Sequence, residues 1–222
     1  MIRALVFDFD GLILDTEAPD FAIWREVYAD HGCELSLDLW AQGIGTRAGV
    51  FDAAAQLEVQ LGRPLDRHGL KKAQRLRFYT ALERERLRPG IETYLREAAD
   101  LGLRTAVASS ATRDWVVSHL ARFDVLDLFD VVRCIDDVPR PKPHPDLYLA
   151  AVKALAVAPE EAVAFEDSPN GITAAKRAGL HCVAVPNAVT RLLVLDEADL
   201  VVESLAEWPL SSLLERLEST AR

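Results

Sequence analysis

Cysteine is scarce in this chain. Cys33, Cys134 and Cys182 are far apart and odd in number. That excludes a disulfide framework and a paired-cysteine metal site, and points to reduced thiols in a cytoplasmic setting. No apolar run approaches the roughly 20 residues needed to span a bilayer, so no membrane association is expected. The opening MIRALVFDFD reaches charge too soon for a secretory signal. Positive charge is also in deficit, with 25 Lys and Arg against 35 Asp and Glu and a formal net charge of −10. A sequence-independent grip on nucleic acid is therefore not expected, and an anionic ligand would need a local positive site. Internal repeats and low-complexity segments are missing as well.

What is present is a large apolar fraction, half of 222 residues, enough for one substantial core. Short β-rich runs at 4–9, 104–109, 131–135, 162–166, 182–186 and 200–202 alternate with helical patterns at 91–101, 114–121, 146–156 and 171–178. The runs are continuously apolar, which marks strands buried on both faces. The expected fold is α/β, a doubly wound parallel sheet covered by helices. One interval breaks the rhythm. From 16 to 87 there is helical periodicity and turn signals but no strand, and about seventy residues is too long for a structureless loop. A helical subdomain inserted over 16–87 into a core of 1–15 and 88–222 accounts for it.

Parallel α/β sheets bind ligands at the carboxyl ends of their strands. The first run ends in Asp8-Phe9-Asp10-Gly11, and residues i and i+2 of a strand share a face, so two like charges are expected side by side. The second run ends in Ser109-Ser110, the third leads into Arg140-Pro141-Lys142-Pro143-His144, and the fourth ends in Glu166-Asp167. Four carboxylates on one edge call for a hard divalent cation with oxygen ligands, Mg²⁺ above all. Cation and lysine together supply the positive site for a phosphate, and a strand-end serine adds a hydroxyl. These are the parts of a phosphoryl-transfer site. Taken singly, each has a plainer explanation: Asp10 before Gly11 as a turn former, Ser109 and Ser110 as caps of the helix starting near Thr112, and His144 as a surface loop residue.

Taken in order, VFDFDGLILDTE, VASSA, PKPHPDLY and FEDSPNG resemble the four signature motifs of the haloacid dehalogenase-like (HAD) hydrolase superfamily. The resemblance is closest to the subfamily with an α-helical cap between motifs one and two, the group that includes β-phosphoglucomutase and many sugar-phosphate phosphatases. It implies Asp8 as the nucleophile that forms an aspartyl-phosphate and Asp10 as the general acid and base. It implies Ser109 and Lys142 as phosphate-binding groups, with Ser110 open between phosphate and helix capping. Mg²⁺ would be held by Asp8, Asp167 and the backbone carbonyl of Asp10, with Glu166 assisting. Pro141 stands where a glycine is common before the lysine, which stiffens the loop and leaves the charge in place.

The cap separates two outcomes of that chemistry. In the mutase pattern a histidine precedes a tryptophan by four residues; here Trp24 is present and Asp20 takes the histidine's place. Arg47 matches a cap arginine that meets a distal phosphate, and Arg77 aligns loosely with a cap lysine. A monomeric phosphatase acting on a small phosphorylated metabolite is therefore expected, with a sugar-phosphate mutase as the alternative. Asp15, Thr16 and Glu17 are expected at the hinge and first turn of the cap, Glu17 favoured by the helix dipole. Phe78 and Tyr79 are expected in the cap's own core. A receiver domain also gathers acids, a hydroxyl and a lysine around Mg²⁺, but it carries no insert and no DxDG on its first strand.

Overall fold

The six apolar runs form six strands in the computed structural model, which describes residues 1–45 and 51–220. They are β1 (Ala4–Phe7), β2 (Arg104–Ala108), β3 (Val131–Arg133), β4 (Ala162–Glu166), β5 (His181–Ala184) and β6 (Leu200–Val201). Every pair is parallel, in the order β3-β2-β1-β4-β5-β6. Both faces are covered, which explains the lack of alternation in the sequence. Leu5, Phe7, Val107, Phe165 and Val183 pack on one side beneath α5 (Ile91–Asp100), α6 (Arg113–Arg122) and the C-terminal α9 (Leu210–Thr220). Ala4, Val6, Ala106, Ala108, Ala164 and Ala184 face α7 (Asp146–Leu155) and α8 (Pro169–Ala178). The sequence patterns did not anticipate α9.

The first strand is shorter than expected. It ends at Phe7, because the Phe9 carbonyl accepts the N–H groups of Leu12, Ile13 and Leu14 at 3.3, 2.9 and 3.2 Å and closes a turn instead of extending the ladder. Gly11 sits in that turn at φ +81°, the left-handed region that favours glycine. β1 therefore ends before both aspartates, so neither lies on a strand face, yet Asp8 and Asp10 line the same cavity as neighbouring acids.

Between β1 and α5 lie four helices, α1 (Glu17–Asp30), α2 (Leu37–Ala41), α3 (Ala53–Leu61) and α4 (Arg67–Leu82), and no strand among the described residues. Local chemistry starts three of them. Ser36, Asp52 and Asp66 accept from the N–H groups of Leu39, Ala55 and Gly69. They close around their own cluster of Trp24, Val27, Tyr28, Leu35, Trp40, Ala54 and Leu57. The chain enters and leaves this insert at one place. Leu14 bridges Leu87, and the Arg88 N–H reaches the Ile13 carbonyl at 2.9 Å. No helix among the described residues is long and apolar enough to cross a membrane.

Gly90, two residues on, caps α5 at φ +93°, and a Cβ there would come within 2.5 Å of the Leu205 carbonyl carbon. Gly90→Ala is expected to cost about 2 kcal/mol or more of stability, because the new methyl group meets the Leu205–Ala206 backbone, which cannot yield, at a φ that disfavours any side chain. Urea unfolding of the variant checks this.

Candidate active site

The sheet order places the site. From β1 the chain builds β2 and β3 on one side, then crosses back to build β4, β5 and β6 on the other. The crevice between β1 and β4 is the switch point, where such sheets bind ligands. Asp8 stands at the end of β1, its N–H donating to the Phe165 carbonyl at 3.0 Å. Glu166 is the last residue of β4, and Asp167 follows it.

Lys142, from the loop before α7, joins the two strand ends. Its Nζ donates to Asp8 Oδ1 at 2.6 Å and to Glu166 Oε1 at 2.5 Å, and it lies 4.9 Å from the centre of the Tyr148 ring. All three ionic groups are buried. Glu166 is saturated: Oε1 also accepts from the Tyr148 hydroxyl, and Oε2 accepts from the N–H groups of Asp167 and Ser168 and from the Ser168 hydroxyl. Asp167 differs. Its Oδ2 accepts from Asn187 Nδ2 at 2.7 Å, while its Oδ1 is buried with no partner.

Three buried carboxylates thus face one ammonium. Burial and the charge of Glu166 outweigh Lys142 and push Asp8 up to about 7. Burial, then Glu166 and Asp8, push Asp167 well above the carboxylate range. The two neighbouring carboxylates keep Lys142 charged against its burial, with its pKa raised. Ligand atoms of Asp8, Glu166 and Asp167 lie within 4.8 Å of one another. An all-oxygen set with an orphaned buried oxygen and too little positive charge fits a hard divalent cation. Within the trio, Asp167 offers the open atom and Glu166 acts as the bracket that holds Lys142.

The Asp10 carboxyl lies outside this trio. Its Oδ1 accepts from Trp115 Nε1 at 2.9 Å, with the Thr16 hydroxyl a second partner, and burial raises its pKa against both of these bonds. Ser109 is buried at the end of β2, and its Oγ accepts from the Ala111 N–H at 3.0 Å, which leaves its own O–H to donate. Ser110 Oγ is occupied. It donates to the Gly45 carbonyl and accepts the Lys142 N–H, both at 3.3 Å, so it ties the insert to the core instead of capping α6. His144 is exposed, as expected.

Above these groups lies a cavity of about 630 Å³. Asp8, Asp10, Ser109 and Ser110 form its floor, and the insert supplies walls that include Glu17, Asp20, Trp24, Lys71, Gln74, Arg75 and Phe78. Asp20 faces the cavity and is hydrogen-bonded by Gln74; burial pushes it up to about 7 despite that bond. Glu17 begins α1, as expected, but it also lines the cavity, where burial, Asp10 and Asp20 push it up to about 8. Arg77 does not line the cavity. It pairs with Glu26, because α4 turns Lys71, Gln74, Arg75 and Phe78 inward and Arg77 away. Arg47 lies outside the described residues. The placement of Phe78 in the cap core is also corrected: it packs on the main core and lies nearly parallel to Trp115, ring centroids 6.2 Å apart.

Three residues at the site carried no motif signal. Trp115 lies six positions beyond Ser109 on α6 and reads as a helix core residue. Arg88 donates to the carbonyls of Gly11, Val185 and Pro186 at 2.6, 2.9 and 2.7 Å, which pins the turn after β1 to the end of β5. Asn187 could have been found, because Pro186-Asn187 follows the fifth apolar run on the same carboxyl edge.

Comparison with known proteins agrees with this geometry. Residues 2–179 match the family described as haloacid dehalogenase-like hydrolase. The protein YhcW of Bacillus subtilis is 48% identical over 219 residues, covering 99% of each chain. A phosphorylated carbohydrates phosphatase of Thermotoga maritima is 31% identical over 182 residues, covering 81% of this chain and 83% of its own. Among solved structures, CbbY from Rhodobacter sphaeroides in complex with xylulose-(1,5)-bisphosphate matches at a TM-score of 0.74 and 32% identity, covering 96% of this chain and 99% of that one.

Lys142→Met is expected to cost about 3–5 kcal/mol at pH 8, because it strands two buried carboxylates. The loss should shrink at lower pH as Asp8 takes up a proton, which urea unfolding in EDTA at two pH values measures. Asp20 titrates at 3.8 when unperturbed and at about 7 in the fold. Its stabilising contribution is therefore full below the lower value and is lost as pH rises through the upper one. Asp20→Asn is expected to flatten the fall of Tm between about pH 4 and pH 8; an unchanged profile would contradict the assignment.

Proposed function

The chain belongs to the haloacid dehalogenase-like hydrolase family as a phosphoric monoester hydrolase, and from that premise we propose that it hydrolyses a small phosphorylated metabolite, a sugar phosphate by class, with Mg²⁺ and through an aspartyl-phosphate on Asp8. The observation that carries the proposal is the charge deficit at the switch point: three buried carboxylates, one lysine and an oxygen of Asp167 with no partner. A site built that way needs one more cation, and a phosphate bound there needs neutralising on its other side.

Asp8, Asp167 and the Asp10 carbonyl would hold the Mg²⁺, which when bound supplies positive charge to the phosphoryl oxygens. The protein's own groups perform the steps. Lys142 engages Asp8 Oδ1 and leaves Oδ2 as the attacking atom. A bond forms from that oxygen to phosphorus as the ester P–O bond breaks, and Asp10 gives its proton to the departing oxygen. Asp10, now a carboxylate, takes a proton from water as the water oxygen attacks the acyl phosphate. Inorganic phosphate leaves, and both aspartates return to their starting states. The Ser109 hydroxyl donates to a phosphoryl oxygen throughout.

The cavity volume suits a small metabolite. Its insert wall, with Asp20, Gln74 and Glu17, offers acceptors to hydroxyl groups, which supports a polyhydroxylated substrate. CbbY, crystallised with a sugar bisphosphate, and the Thermotoga phosphatase of phosphorylated carbohydrates support the same class. Asp20, which takes the place of the mutase histidine and is held by Gln74, supports hydrolysis over phosphoryl return. The insert, 16–87, acts as the cap that supplies specificity.

Phosphate release from p-nitrophenyl phosphate and a panel of sugar phosphates is expected with Mg²⁺ and is expected to be lost in EDTA. Asp8→Asn should bring release to background. Wild-type turnover in that variant would sink the aspartyl-phosphate.

A further inference from the structure

We infer that Trp115 is a positioning residue that aims Asp10 at the leaving oxygen, and that Phe78 of the insert holds Trp115 in place for that task. The inference rests on Asp10 acting as the general acid and base, and adds a residue with no assigned part in it.

Asp10 sits where the backbone has just turned out of β1, with no strand neighbour to fix its side chain. A carboxyl in that position has rotamers to choose from. The indole N–H is a donor only, so at 2.9 Å it commits Oδ1 to accepting, whereas the Thr16 hydroxyl, the other partner of this carboxyl, can donate or accept and does not by itself decide which oxygen carries the proton. A general acid works only within hydrogen-bond reach of the atom it protonates, so fixing which oxygen faces the cavity is part of the chemistry.

The indole is itself immobilised from two directions. His119, one turn along α6, packs against it at 4.1 Å between centroids with the planes tilted by 50°. Its Nδ1 lies 2.8 Å from the Trp115 carbonyl, which can only accept, so that nitrogen carries the proton and locks the imidazole. From the insert, Phe78 lies nearly parallel to the indole, at 16° between planes, and Tyr79 sits at 6.0 Å. Half of the support for Trp115 therefore belongs to a different part of the chain from Asp10. The acid is aimed only when α4 lies against α6.

A plainer role for Trp115 is a wall for substrate, since it lines the cavity. The two roles differ in what they change. A wall alters KM, or lowers turnover of all esters alike; a group that aims the acid matters in proportion to how much the leaving oxygen needs a proton. The test compares p-nitrophenyl phosphate with phenyl phosphate, esters of similar size whose leaving phenols differ widely in acidity, with the Mg²⁺-loaded enzyme.

Trp115→Phe keeps a ring against Phe78 and His119 and deletes the N–H. It is expected to raise the ratio of kcat on p-nitrophenyl phosphate to kcat on phenyl phosphate by up to about tenfold, the upper end of what one hydrogen bond to a neutral carboxyl contributes. KM should not move. Asp10→Asn, run beside it, gives the full size of the leaving-group effect. If Asp10→Asn shows that effect and Trp115→Phe lowers both esters equally, or moves only KM, the inference is overturned and the function stands. If Asp10→Asn shows none, the role of Asp10 falls and the inference with it. Should Trp115→Phe not fold, Phe78→Ala leaves the indole N–H in place and removes its cover; it is expected to raise the same ratio by less, and an unmoved ratio there also overturns the inference.

Discussion

One buried ammonium holds the two halves of the sheet's carboxyl edge together. Lys142 lies between the end of β1 and the end of β4, and its two short contacts are the only charge compensation that Asp8 and Glu166 receive from a contacting side chain among the described residues. Burying charge is costly unless geometry and hydrogen bonding are both satisfied. Glu166 meets that condition with five bonds, Lys142 with two carboxylates and a ring face, and Asp167 does not meet it. The imbalance sits at one atom. The same network that fixes the fold's central crossing leaves a defined place for the charge it lacks.

The two aspartates of the DxD pair are separated by backbone as well as by spacing. Asp8 continues the ladder to β4, whereas the turn closed on the Phe9 carbonyl sends the Asp10 carboxyl to α6. One acid is committed to the lysine, the other to an indole on the cavity wall. Neighbouring like charges are thus given separate partners, Lys142 for Asp8 and Trp115 with Thr16 for Asp10. Arg88 holds the turn from behind by donating to Gly11, and Asn187, in the loop after β5, steadies Asp167.

The six strands and the four helices of the core that follow them in sequence were legible because burial on both faces leaves a continuous apolar signature. The acids, serine and lysine were legible because a parallel sheet collects its strand ends on one edge. What escaped shares a different property. Trp115, Phe78 and Arg88 reach the site by tertiary packing from helix or linker positions, where an aromatic or a basic residue carries no local pattern. Arg77 shows the reverse error. Its neighbour Arg75 lines the cavity while Arg77 turns to Glu26, and a loose alignment cannot resolve two positions on one helix. Strand ends were misplaced by a residue or two because β1 stops where a turn competes successfully for the Phe9 carbonyl, a contest invisible in composition.

The place where the chain leaves the sheet for the four-helix insert and comes back is a single seam. Leu14 faces Leu87, Ile13 accepts from Arg88, and the Arg88 guanidinium is fastened to three carbonyls of the sheet side. An insertion whose two ends are stitched side by side behaves as a cassette. The strand end that bears Asp8 takes its register from β2 and β4 and not from the insert. A change in the insert therefore reaches the cavity through the residues that line it and through Phe78 on Trp115, and leaves the ladder of β1 in place.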